Sequence, residues 1–105
     1  MPIRSKRPAA RHPRADDLLS RLVQEWKQPR DDASEPVIVY EGGTPDRATH
    51  LYVVWSDWGD LNQQERSEII MEAYEQAKGA EAGLHVTVAM GLTPEEAKRM
   101  NIDWT

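Results

Sequence analysis

Residues 49–56 read Thr-His-Leu-Tyr-Val-Val-Trp-Ser. Side chains alternate across a strand, so Leu51, Val53 and Trp55 share one face while Tyr52 and Val54 share the other. Apolar groups on both faces mark an inner strand, covered on two sides. Just before it, Val37-Ile38-Val39-Tyr40 is a β-branched run that predicts a neighbouring strand. The intervening Gly42-Gly43-Thr44-Pro45-Asp46 is rich in turn formers and too short for a parallel crossover. The two strands should therefore form an antiparallel hairpin.

Helices flank the hairpin. Over residues 16–28, Leu18, Leu19, Leu22, Val23 and Trp26 fall on one stripe of a helix, with Asp16 and Asp17 at its positive end and Pro29 as its stop. After the turn Asp57-Trp58-Gly59-Asp60, Asn62 and Glu65 make a capping box for a helix reaching about residue 78, with Ile69, Ile70, Ala73, Tyr74 and Ala77 inward. A third strand is expected over residues 84–90, with Leu84, Val86, Val88 and Met90 on one face and His85, Thr87 and Ala89 on the other. Thr93-Pro94-Glu95-Glu96 is the clearest local signal. Thr93 is the N-cap, Pro94 takes the first helical position and Glu96 closes the box of a short last helix, after which Ile102 and Trp104 fold back onto the body. The order α-β-β-α-β-α predicts an α+β two-layer sandwich, with a three-stranded mixed sheet and helices on one face.

The chain has 105 residues, 13 basic and 18 acidic side chains, and no cysteine. That excludes disulfides, thiolate metal sites and a cysteine nucleophile. The apolar runs are too short to span a membrane. Met1-Pro2-Ile3-Arg4 lacks the apolar core of a secretory signal, so a cytoplasmic protein is expected. Charge is uneven. Residues 1–14 hold Arg4, Lys6, Arg7, Arg11 and Arg14 and no acid, which leaves a net of −10 on the remaining residues. With three prolines and little aliphatic surface, residues 1–15 read as a disordered basic tail on a single domain of residues 16–105. Its five cations are candidates for nucleic-acid binding; the alternative is a solubilising terminus.

No phosphate-binding, zinc-protease or nucleophile-elbow motif occurs. Asp57, Asp60 and Glu65 are either oxygen ligands for a hard cation or turn and capping groups. Trp26 and Trp55 belong to the core. Trp58, in a turn, and Trp104, near the end, are either anchors for a protein partner or lids on a small core.

Several features come together in order: His50 opening the second strand, Val53-Val54-Trp55-Ser56-Asp57 closing it, Arg66 early in the main helix, Leu84-His85-Val86, and Thr93-Pro94-Glu95. This series, over residues 16–98, resembles the BolA-like family, whose fold is related to type II KH domains. That family's Arg-His-Arg triplet is reduced here to Arg66. The resemblance implies a regulator that binds a monothiol glutaredoxin and shares an iron–sulfur cluster, with His85 as ligand and His50 as a second. No GXXG loop is present, so backbone gripping in the KH manner is not expected. From the residues alone, a small non-enzymatic protein-interaction or adaptor module without a cofactor is the expectation.

Overall fold

A computed structural model describes residues 12–30, 34–44 and 47–104. Helix α1 (Ala15–Lys27) buries Leu18, Leu19, Leu22 and Trp26, the stripe expected from their spacing. Strands β1 (Val37–Thr44) and β2 (Arg47–Val54) pair antiparallel from Val37–Val54 to Thr44–Arg47. The hairpin is tighter than its turn-rich sequence suggested. Gly42 and Gly43 stay within β1 at φ +79° and +72°, a region that suits residues lacking Cβ, so the strand carries on through them.

A 3₁₀ turn (Ser56–Trp58) leads to α2 (Gln63–Lys78). Its capping box is complete: Glu65 N–H donates to Asn62 Oδ1 at 2.8 Å, and Asn62 N–H donates to Glu65 Oε1 at 2.9 Å. A single turn of helix, α3 (Ala80–Gly83), precedes β3 (Val88–Leu92) and α4 (Pro94–Arg99). Thr93 and Glu96 form the second reciprocal box, as their spacing predicts. The sheet order is β1-β2-β3, with β2 antiparallel to β1 and parallel to β3. The chain is thus a small mixed-sheet α+β domain with β2 as its inner strand.

The third strand departs from expectation. Residues 84–86 are turn, not strand: Leu84 N–H donates to Glu81 O, His85 N–H to Ala82 O and Val86 N–H to Gly83 O. Pairing with β2 begins only where Thr87 N–H reaches Thr49 O at 2.8 Å. A parallel strand needs a crossover, and residues 79–87 are spent on it. The turn also resets the alternation. Val88 and Met90 join one cluster, Val86 packs against the other, and Leu84 is 82 % exposed.

Two cores result. The larger lies between the helix-facing side of the sheet and α1 and α2, around Leu22, Leu51, Val53, Trp58, Ile70 and Tyr74. The smaller lies on the other side, where Ala97 of α4 with Ile102 and Trp104 covers Tyr52, Val54 and Leu92. The expected return of Ile102 and Trp104 is thus observed, and it gives the outer face a partial cover.

Arg66 joins these layers. Its side chain is nearly fully buried. Nε donates to Leu61 O at 2.9 Å, and one terminal nitrogen donates to Gly91 O at 2.9 Å and Glu96 Oε1 at 2.7 Å. A buried guanidinium cannot shed its proton, so it must keep these acceptors. Thr93 N–H, and after it Arg66, holds the Glu96 carboxyl below the usual carboxylate range, against the upward pull of burial. Gly91 is required beside them: a Cβ there would lie 2.7 Å from Trp58 Cε2 and 2.8 Å from Arg66 Cβ.

Arg66→Ala, which removes the buried guanidinium that Leu61 O, Gly91 O and Glu96 share, should cost about 3 kcal/mol in urea unfolding. Gly91→Ala should cost ~1–3 kcal/mol by overpacking. Because the Glu96 pKa is lowered by folding, its contribution is present above the ordinary glutamate range and lost as pH falls through the folded value. The acid limb of stability should therefore flatten in Glu96→Gln.

Candidate functional site

The outer sheet face is ordered by strand register. Residues directly opposite across strands sit side by side. The pairings set out three rows: Val37, Val54 and Leu92; Val39, Tyr52 and Met90; Glu41, His50 and Val88. Burial falls from row to row. In the first, Val54 and Leu92 are buried; in the second, Tyr52 is buried between half-buried Val39 and Met90; in the third, nothing is buried and Glu41 is exposed.

A polar group closes the open end. His50 Nδ1–H donates to Glu41 Oε1 at 3.0 Å, and Tyr52 O–H donates to the same oxygen at 3.3 Å. The His50 and Tyr52 rings meet edge to face with centroids 6.3 Å apart. The hydrogen bond from His50 holds the Glu41 carboxyl below its usual range; Tyr52 and the His50 charge add to this while burial opposes. Burial, and then the Glu41 carboxylate, pushes the Tyr52 hydroxyl up. Glu41 carries no local sequence motif. Its signal lies in the hairpin register, which sets it opposite His50.

The edges of the sheet differ. Carbonyls of β3 that face away from β2 are taken by α2: Ser67 Oγ donates to Ala89 O at 2.6 Å, and Gln63 Nε2 to Gly91 O at 2.6 Å. Beside β1 lies a groove of about 310 Å³, lined among others by Trp26, Arg30, Pro36 and Ile38. Trp26 Nε1–H donates to Tyr40 O–H at 2.9 Å, and the buried Glu25 carboxylate is held by Arg21 at 2.9 Å and Arg30 at 3.2 Å.

The other sequence candidates are dispersed. Trp58 is not a surface anchor. It is fully buried, donates from Nε1 to Val53 O at 2.9 Å and meets Trp55 edge to face at 5.2 Å. The 3₁₀ turn rolls it inward, a geometry that turn residues alone do not reveal. Trp104 is half-buried against the outer cluster, a lid in position. His85 lies exposed in the turn before β3 rather than on the strand, and His50 is engaged with Glu41. Among the described residues no three histidine, aspartate or glutamate side chains gather to hold a metal ion.

Arg14 is not part of a loose tail. It pairs with Asp60 Oδ1 at 2.8 Å and donates to Asp57 O, while His12 Nε2 lies 3.4 Å from Asp60 Oδ2. Asp60 thus anchors the start of α1, and Glu65 serves as a cap, so neither is set up as a cation ligand. Arg4, Lys6, Arg7 and Arg11 lie outside the described residues.

No described helix is long and apolar enough to cross a membrane. No protein-family model matches the chain, and no curated protein or solved structure matches it significantly.

The Glu41 site is open to titration. In carbon-detected NMR its carboxyl should titrate below the ordinary glutamate range. His50→Ala should return the midpoint toward that range, and Tyr52→Phe should do so by less. Unchanged midpoints in both variants would contradict the hydrogen-bonding account.

Proposed function

We propose that this chain is a non-enzymatic protein-interaction module whose partner seats on the outer sheet face at its Glu41 end. The observation that carries the reading is the fall in burial along that face. Aliphatic side chains of Val39, Val88 and Met90 are only partly buried beside a positioned carboxylate. Partly open apolar surface rimmed by polar groups is a common place for a partner to seat. A side chain able to direct a partner is present too: Glu41 is oriented by two donors and exposed. Apolar centre and polar rim together are the composition of a binding patch.

Placing a photo-crosslinking amino acid at position 39 or 88 tests this reading in cells. A discrete adduct should form from both positions, be competed by the unmodified protein, and be absent when the same group replaces Gln64 on the exposed side of α2. Met90→Glu should abolish the adduct while leaving the circular dichroism unchanged. Equal labelling from position 64, or no adduct from positions 39 and 88, would overturn it.

A further inference from the structure

We infer that the segment occupying this face is a helix that presents a cationic side chain to Glu41 and an aliphatic one, a single helical turn away, to Val39 and Met90. The inference rests on the reading above and adds the partner's chemistry. Its sign comes from charge. The chain outside residues 1–14 carries a net of −10, and the most exposed group at the open end of the face is the Glu41 carboxylate, 61 % of its side chain exposed even with His50 against it. A cation is drawn to such a surface and an anion repelled.

Spacing supplies the rest. On one strand, Glu41 and Val39 are two residues apart and point the same way, a separation of about 7 Å. Residues four apart on a helix share a face and are separated by about 6 Å along its axis. An arginine or lysine four positions from a leucine, isoleucine or methionine therefore meets both rows at once. A helix suits the place for a further reason. A face offers no backbone donors or acceptors to a strand, which pairs at edges; sheet faces are covered by helices or by another sheet. Tyr52, Val54 and Leu92 of this face are already covered in this manner by α4 and the segment after it.

Two alanine-based helical peptides, capped at both ends, test the chemistry by nitrogen–proton NMR titration of the full chain. One carries leucine and arginine four residues apart; the other carries glutamate in place of arginine. The arginine peptide should shift the amides of Val39, Glu41, His50, Val88 and Met90. Glu41→Gln, which keeps acceptors for His50 and Tyr52, should weaken it about two- to fivefold, the range of an exposed ion pair. Glu68→Gln on α2 should leave it unchanged. Shifts centred on α2, or equal weakening by the two variants, would show attraction to general acidity and overturn the inference. Preference for the glutamate peptide at the same face would overturn the cation and leave the docking reading standing. Silence of both peptides alongside position-specific crosslinks at position 39 would also overturn the chemistry alone. Silence together with absent crosslinks would remove both.

Discussion

Arg66 is the constraint on which the arrangement of layers depends. A guanidinium placed in a protein interior must have its donors met, because it cannot become neutral. Here the acceptors come from three separate segments: Leu61 before α2, Gly91 near the end of β3, and Glu96 in α4. Each of these segments is short, and no other described side chain donates to all three. The charge binds them at one point, and the missing Cβ of Gly91 lets β3 approach Trp58 and Arg66 closely enough for the bonds to form. With Gly91 placed, the register of β3 against β2 follows.

That register then decides both sides of the sheet. Alternation from Gly91 sends Val88, Met90 and Leu92 to the outer face and Ala89 toward the helices. Carbonyls at Ala89 and Gly91 point at α2, whose Ser67, Gln63 and Arg66 fill that edge. An edge filled in this way cannot accept a further strand. Glu96 belongs to both systems, capping α4 and receiving Arg66, so the start of α4 is fixed over the first row of the outer face. The face is covered at that end and opens toward Glu41.

Some of this was legible from residue types. Both capping boxes, the apolar stripe of α1, the inner strand and the hairpin follow from spacing. Other features were not. Residues 84–90 alternate as a strand does, yet residues 84–86 are turn, because the pattern carries no record of how much chain the crossover needs. Trp58 stands among turn formers, and its burial depends on a 3₁₀ turn and a glycine more than 30 residues away. Arg14 reads as one more cation of a basic tail, whereas Asp60 and the Asp57 carbonyl hold it to the body. Glu41, next to two glycines, reads as a loop residue until its partner across the hairpin is known.

What the sequence determined by itself is the set of elements and their order. Caps, stripes and turns act over four or five residues, and the identity of those residues carries their energetics. The tertiary structure alone decided which side chains share the outer face, which tryptophan is inside, and where the face stays open. Those outcomes depend on strand register and on one buried charge linking distant segments, and register is a relation between parts of the chain that no local spacing contains.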